Sequence, residues 1–527
     1  MPNQARVVAR LADFPDGTMR QVEVDGAKIL LVRRGDDVFA MAGTCPHAGG
    51  PLAEGILDGD RVVCPWHKAA FCITSGACLE PPAVDGLLHI PVGIRDGEVV
   101  LAPEPPVQAQ PALPAARDPR RFVIIGGGGA GATAAQTLRE EGFAGEIAMI
   151  DQDGELPYDR TLLSKYVLSG ADAGEKSPLQ DEAFYRHHAI ERIHGTVRML
   201  DPKARIIVLE DGTTRVYDAA LIATGGAPVR PSFPGAHLEH VFVLRNRADA
   251  RHLVDVAVPG RKVVVVGASF IGMEVAASLR ERGLEVTVVA DQRAPFEPQL
   301  GAEIGTIFRK MHEAEGVAFR LNRRVDRVTG EGMVAGVVLT DGEELAADLV
   351  VVGLGVRLQT GFLQGVPLRE DGGVDVDAEL RLADGLHAAG DIAAFPLQGD
   401  GPTVRVEHWR VAEQHGRLAA RNMLGAGRHY VAVPYFWTIQ FSKRLDYVGH
   451  GSGSDELIVR GDTEAPEFIA YYRRDGRIVA AAGWNRDQDM AALIALMDQK
   501  RDWTLDELHP VGSSPSAVLA TRPHETA

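Results

Sequence analysis

Over the first hundred positions apolar and polar residues alternate in short runs, as in QVEVDGAKILLVRRGDDVFAMAG and HIPVGIRDGEVVLAP, with Gly-Asp turns between them. A period of two broken by such turns predicts a small all-β domain over residues 1–102. Six prolines fall in the next stretch, PEPPVQAQPALPAARDP at 103–119, which has little to bury and reads as a semi-extended tether. Then the grammar changes. RFVIIGGGGAGATAAQTLREEGFAGEIAMID is a strand, a glycine turn, a helix and a second strand, and RKVVVVGASFIGMEVAASLRERGLEVTVVAD repeats that plan from position 261. Two βαβ units of this kind predict two α/β domains. From about 430 the pattern loosens into strands (ELIVRG, FIAYYRRDGRIVAAAGW) and a helix (MAALIALMDQK), which predicts a smaller α+β domain to residue 512. Residues 513–527 read as a disordered tail.

Composition adds exclusions. With 527 residues the chain is too long for one core, and its 45% hydrophobic and 24% charged residues are ordinary for a soluble protein. A formal charge of −17 argues against nucleic acid or an anionic membrane as partner. No run of about 18 apolar residues suggests a spanning helix, and the amino terminus lacks a secretory pattern, so a cytoplasmic protein is expected.

All four cysteines lie between positions 45 and 78. Cys45-Pro46-His47 is followed sixteen residues later by Cys64-Pro65-Trp66-His67. Two such arms place two thiolates on one iron and two imidazoles on the other, the Rieske [2Fe-2S] arrangement. A Cys2His2 zinc site has the same ligand count, but zinc fingers pair Cys with Cys and His with His across a helix. CPHAGGPLAEG and CPWHKAAFCITSG resemble Rieske ferredoxins. High-potential members brace the two loops with a disulfide; Gly50 and Trp66 stand in the corresponding neighbourhoods, which implies a lower-potential centre. In proteins of this kind the two histidines face solvent, so electrons are expected to leave there. Cys72 and Cys78 read as small buried side chains, against the rival readings of a redox disulfide or extra ligands.

Gly126-Gly127-Gly128-Gly129-Ala130-Gly131 satisfies G-x-G-x-x-G directly after an apolar strand and opens a helix, the geometry that cradles a pyrophosphate. Gly126, Gly128 and Gly131 are the fingerprint glycines, and Asp151 or Asp153 ends the next strand where a carboxylate holds an adenosine ribose. The second unit reads Gly267-Ala268-Ser269-Phe270-Ile271-Gly272, with Ser in place of the middle glycine and Glu274 two residues into the helix. His187-His188 lies on a polar stretch and is given no metal.

Residues 120–510 resemble the apoptosis-inducing-factor family of FAD reductases, which includes reductases serving Rieske oxygenases, and the front domain places the chain nearest its Rieske-containing branch. The carrying stretches are LPYDRTLLSK, GASFIGMEVAA, VGLGVRLQTGFL, AAGDIAAFP, VEHWRVAEQHGRLAARNML and VPYFWTIQFSKRLDYVGHGSG. The resemblance implies an FAD domain in two parts, 120–235 and 359–428, around an NAD(P) domain at 236–358, with the α+β domain at 429–512. It implies that Lys165 lies beside the isoalloxazine, that Arg160, Val197 and Arg245 line the FAD cavity, and that Asp391 binds ribitol. Trp409, after Glu407-His408, completes the pocket, and Trp437 packs near the redox edge. Gly267, Phe270, Ile271, Gly272 and Gly355 belong to the nicotinamide half, and Glu274 contacts the carboxamide. Where the family's NADH enzymes keep a glutamate for the 2′-OH, this chain has Ala290, then Asp291 and Arg293. Asp291 suits NADH and Arg293 suits a 2′-phosphate, so the choice stays open. Thr161-Leu162 replaces the usual proline pair, which puts the rigidity of that loop in question.

Disulfide reductases of this architecture carry a cysteine pair by the flavin, and no cysteine follows position 78. Chemistry is therefore expected to leave as electrons: hydride from NADH or NADPH to FAD, single electrons to the cluster, then an oxygenase, a cytochrome P450 or another redox protein. A monomer or homodimer is expected. The rival class is a slow redox-sensing protein of the signalling kind; a flavin monooxygenase is a third reading.

Overall fold

The computed structural model describes residues 5–102, 117–171, 178–499 and 501–521. Most of the expected tether lies outside them.

The amino-terminal part is all-β. Met19–Val24, Ala27–Arg34, Asp37–Ala42 and His89–Ile90 form one antiparallel sheet, and Arg6–Arg10, Glu98–Leu101 and Val92–Arg95 a second. A third, Ile56–Asp58, Arg61–Val63, Ala70–Cys72 and Cys78–Glu80, carries the second ligand arm in one of its turns. Leu30, Val32, Met41, Val62 and Phe71 form the core beneath both arms.

Two parallel sheets follow. The first runs in the order Ile190–His194, Glu146–Asp151, Arg121–Ile125, Ala219–Ile222, Leu386–Ala388, with Arg381–Ala383 antiparallel at its edge. Its fifth strand returns from beyond the second sheet, so the first α/β unit is discontinuous. The second sheet, Val241–Val243, Leu349–Val352, Lys262–Val266, Glu285–Val289 and Ala318–Arg320, is parallel throughout. The chain crosses between the units on one ribbon, Gly226–Pro228 against Val356–Leu358. Each glycine turn opens a helix, α1 (Gly129–Glu140) in the first unit and α2 (Phe270–Glu281) in the second, where α3 (Glu297–Ala314) follows. The last glycine of each turn serves packing: a Cβ on Gly131 would fall 1.8 Å from the Gly126 carbonyl oxygen, and one on Gly272 2.1 Å from that of Gly267.

The carboxy-terminal unit is a five-stranded antiparallel sheet in the order Tyr435–Gln440, Lys443–Gly449, Arg477–Trp484, Glu467–Arg474, Glu456–Asp462. Two long helices flank it, α4 (Trp409–Met423) before the sheet and α5 (Asp487–Met497) after it. The expected tail is corrected in part. Residues Pro515–Ala520 form a short helix whose N-cap Ser514 accepts from Ala517 N–H, and Leu519 packs towards α5.

The Rieske-like domain is not hung loosely on the rest. Ile56, Val63 and Ala70 share one apolar cluster with Ala491, Ala492 and Ala495 of α5, small residues that let helix and sheet approach closely. A stripe on α4 holds the other side. Arg410 Nε donates to Pro81 O (2.8 Å), Gln414 Nε2 to Glu80 (2.6 Å) and an Arg417 guanidinium N–H to Cys78 O (2.9 Å). Positions i, i+4 and i+7 lie along one helix face, which is why three side chains reach one strand and the turn after it.

Candidate functional site

Cys45 and Cys64 are buried at 3% and 1% exposure, side by side. The neighbouring Cys45 draws the Cys64 thiol down against its burial, with backbone N–H groups of Trp66 and His67 and the charge of Lys68 helping. Cys45 is raised by the same neighbour and by burial. Opposite them, His47 Nδ1 and His67 Nδ1 stand 3.1 Å apart. Two nitrogens at about 2.1 Å from one metal, near a right angle, have about that separation. Among the described residues no three Cys, His, Asp or Glu side chains converge on one point. A thiol pair beside an imidazole pair fits a two-iron cluster and does not fit one tetrahedral ion.

The expectation that these histidines face solvent is overturned. His67 is 7% exposed, and its ring lies 4.6 Å from that of Trp437, centroid to centroid; the ring of His47 lies 6.2 Å from the same indole. His47 Nε2 points to Asp159 Oδ2 at 3.7 Å. Burial works against ionisation of Asp159, yet bonding to His47 and Thr161 holds its carboxyl below the usual range. The same carboxylate accepts from Thr161 N–H (2.8 Å) and caps the turn Arg160–Leu162, so this loop is fixed without its prolines. Behind His67, Lys68 adopts a left-handed backbone (φ 61°) and is fully buried. Its Nζ donates to Asp446 Oδ2 at 2.7 Å and also to the Pro65 carbonyl. Tyr435 (2.9 Å) and Arg444 (3.1 Å) engage the other oxygen of Asp446. The imidazole edge of the cluster site is thus closed against the reductase part. The first arm is exposed at Pro46, Ala48 and Gly49, whereas in the second arm Trp66 alone is partly exposed.

On the far side of Trp437 lies one cavity of about 1650 Å³ that runs across both α/β units. Gly126, Gly128, Asp151, Asp153, Arg160, Lys165, Val197, Arg245, Asp391, Glu407, His408, Trp409 and Trp437 line its first half. Gly267, Phe270, Ile271, Glu274, Asp291 and Gly355 line the second. Gly131 and Gly272 do not reach it; their role is the close packing described above. Asp151 accepts from Gly127 N–H and, at 2.6 Å, from Asp153 N–H, while Asp153 accepts from the Tyr158 hydroxyl (2.8 Å). Both candidate carboxylates therefore reach the cavity. Arg245 pairs with Asp391 at 3.4 Å, and the Trp409 ring lies about one atomic contact from Gly129, where a Cβ would fall 3.3 Å from it.

The helices meet at a buried pair. Lys165 Nζ donates to Glu274 Oε2 at 2.8 Å. Lys165 sits in a π-helical turn, Leu163–Val167, pinned by α2: Ser278 Oγ lies 2.7 Å from Ser164 O and 3.0 Å from Lys165 O. At the opposite end Asp291 pairs with Arg324 (3.2 Å), and both line the cavity. Arg293 does not. It is turned onto Glu297, four residues on, so the open reading that gave Arg293 a 2′-phosphate finds no support in the cavity, which Arg324 lines instead.

The pyridine nucleotide-disulphide oxidoreductase profile matches residues 120–416, more than half of the chain. The chain belongs to that family. A Rieske [2Fe-2S] domain matches residues 4–91 and a reductase carboxy-terminal domain residues 435–511. Apoptosis-inducing factor 3 of Homo sapiens is 36% identical over 524 residues, covering 95% of this chain and 86% of that protein. The anthranilate 1,2-dioxygenase system ferredoxin–NAD(+) reductase component of Burkholderia cepacia is 36% identical over 383 residues, 70% of this chain and 92% of that one. The ferredoxin reductase for the CYP199A2 system from Rhodopseudomonas palustris superposes with a TM-score of 0.70 at 32% identity, covering 74% of this chain and 96% of the other.

This pyridine nucleotide-disulphide oxidoreductase is a ferredoxin-reductase-like enzyme whose cofactors are FAD, NAD(P)H and a Rieske cluster. Unlike what the family name suggests, it has no cysteine after position 78; Cys72 and Cys78 are free thiols, bonded to Thr74 Oγ1 (3.1 Å) and Ala83 O (3.1 Å). Sequence reasoning missed Asp159, the Lys68–Asp446 pair and Arg324. A lysine directly after the last ligand was a visible signal for the second; Asp159 and Arg324 carried none.

Proposed function

We propose that electrons pass from NAD(P)H through FAD to the chain's own Rieske cluster across Trp437, and from there to a one-electron acceptor such as an oxygenase component or another redox protein. When bound, the flavin takes a hydride and the cluster exchanges one electron at a time. The observation that carries the reading is Trp437, which lines the cavity on one face and meets both ligand histidines on the other.

The chain's residues bind, orient and enclose. Backbone N–H groups at Gly128, Gly129 and the start of α1 would hold a pyrophosphate, since those of Gly126 and Gly127 are taken by Ile150 O and Asp151, and Asp151 with Asp153 would meet the adenosine ribose. Asp391, steadied by Arg245, meets ribitol, and Trp409 closes the pocket at Gly129. Lys165 presents an ammonium to the redox edge with Glu274 behind it. Gly267, Phe270, Ile271 and Gly355 seat the nicotinamide nucleotide, whose ribose end meets Asp291 and Arg324. Cys45, Cys64, His47 and His67 hold the cluster. With the imidazole edge turned inward, the acceptor meets the cluster from the first arm, at Pro46, Ala48 and Gly49.

His67→Ala tests the route. Flavin bleaching by NADH should survive in that variant, while cytochrome c reduction should collapse. Cytochrome c turnover at the wild-type rate without an intact cluster would show that electrons leave directly from the flavin.

A further inference from the structure

Glu274 stands where three parts of the chain meet, and its two oxygens are divided between them. Oε2 accepts from Lys165 Nζ (2.8 Å) and Ser164 Oγ (2.5 Å), and Oε1 accepts from Thr438 Oγ1 (2.8 Å). The chain of contacts continues away from the cavity. Gln440 Nε2 lies 3.0 Å from Thr438 Oγ1, and His312 Nε2 lies 2.7 Å from Gln440 Oε1. Thr438, Gln440 and His312 are buried, and none of them lines the cavity.

The direction of these bonds is forced from the Glu274 end. A carboxylate bonded to an ammonium has no proton to give, so Thr438 donates its single hydroxyl proton to it. The Thr438 oxygen must then accept from the Gln440 amide nitrogen, which leaves the Gln440 oxygen to accept the Nε2–H of His312. Burial draws His312 down to about 4, so it is neutral, and its one ring proton is committed to this bond. Its Nδ1 has no hydrogen-bond partner among the described residues. Every donor from α3 to the active site points at Glu274, and bonds aligned in this way strengthen one another in a low-dielectric interior.

We propose that Thr438, Gln440 and His312 are positioning residues, a polarised hydrogen-bond chain that fixes Glu274 and so holds the Lys165 ammonium at the redox edge of the flavin. This rests on the functional reading above. With only Ser164 and Lys165 on one oxygen, the carboxylate would be free to rotate towards the cavity and carry the ammonium with it. Held from both sides, it keeps a positive charge where negative charge develops during hydride uptake, with no reorganisation at that moment.

The test uses the FAD-loaded enzyme and NADH, with Thr438→Val, Gln440→Leu and Thr438→Ser compared. In Thr438→Val flavin bleaching should slow about tenfold, the loss expected for one hydrogen bond to a charged group, and in Gln440→Leu about fivefold, the loss for a neutral one. Their flavin midpoint potential should fall, while the NADH concentration at half-saturation stays put. Thr438→Ser, which keeps the hydroxyl, should stay within about twofold of wild type. Wild-type bleaching rates and potentials in both Thr438→Val and Gln440→Leu would overturn the proposal. So would a serine variant as slow as the valine one, since packing alone would then account for Thr438. If the wild-type protein itself binds no FAD or is not bleached by NADH, the functional reading fails, and that result is separate from any ranking of the variants.

Discussion

Trp437 joins two sites that the sequence keeps 370 residues apart, counting from His67. Its replacement by leucine should leave flavin bleaching by NADH unchanged and slow the following reduction of the cluster severalfold; equal rates for both steps in stopped-flow would remove the indole from the route. The ligand set itself was legible, because Cys45, His47, Cys64 and His67 lie in two short arms whose residue types dictate the metal chemistry. What those histidines face was not. Contacts such as His67 with Trp437, or His47 with Asp159, form between distant segments, and no local pattern encodes them. The cofactor end shows the same limit: a strand end reading Ala290-Asp291-Gln292-Arg293 left Asp291 for NADH and Arg293 for a 2′-phosphate both open, yet Glu297 four residues on captures Arg293. Arg324 instead lines the cleft beside Asp291. Arg324→Ala should therefore lower kcat/KM for NADPH more than for NADH, and an unchanged ratio of the two would place cofactor choice elsewhere.

At the scale of elements, α4 does two things at once. Its first residue, Trp409, stands in the flavin cavity, while Arg410, Gln414 and Arg417 grip the strand Cys78–Glu80 and the turn after it. Read alone, VEHWRVAEQHGRLAARNML is an amphipathic helix with a polar face, and the natural reading of that face is solvent. The docked domain buries it, with Arg410 at 3% and Arg417 at 7% exposure. Arg417→Ala removes the donor to the Cys78 carbonyl, a charged hydrogen bond worth about 1.5–3 kcal/mol when its acceptor is left buried. The variant should melt at a lower temperature and reduce its cluster more slowly, with flavin bleaching unaffected. An unchanged melting temperature and cluster rate would mean that the α5 contact alone fixes the domain. The glycine turns, by contrast, were legible as elements because strand, turn and helix follow one another without interruption. The tail was misread because Ser514-Pro515, a cap and a first-turn proline, was overshadowed by the polar residues around it.

For the whole molecule, order along the chain was legible and the joint between its parts was not: nothing local signals that the front domain is clamped by α4, α5 and the buried Lys68–Asp446 pair. Burial also sets how the assembly responds to acid. It draws His312 and His387 to about 4 and His408 and His415 to about 3. An unfolded histidine binds its proton near pH 6.5, so between that pH and the folded values the unfolded chain holds more protons and stability falls as pH falls. Each group contributes up to about 1.4 kcal/mol per pH unit in that window. Buried carboxyls that are raised instead, Glu413 foremost, work in the opposite sense and blunt the effect. The melting temperature should drop from pH 7.5 to pH 5, and a flat profile would contradict the neutral assignment of these rings. The central claim is that the cluster is filled from the flavin through its inward-facing imidazole edge. Anaerobic mixing of the holoenzyme with NADH, followed optically at the flavin and by freeze-quench electron paramagnetic resonance at the cluster, tests it most directly. The account predicts flavin bleaching first and the reduced Rieske signal second, with no added carrier; a bleached flavin beside a cluster that stays oxidised would contradict it.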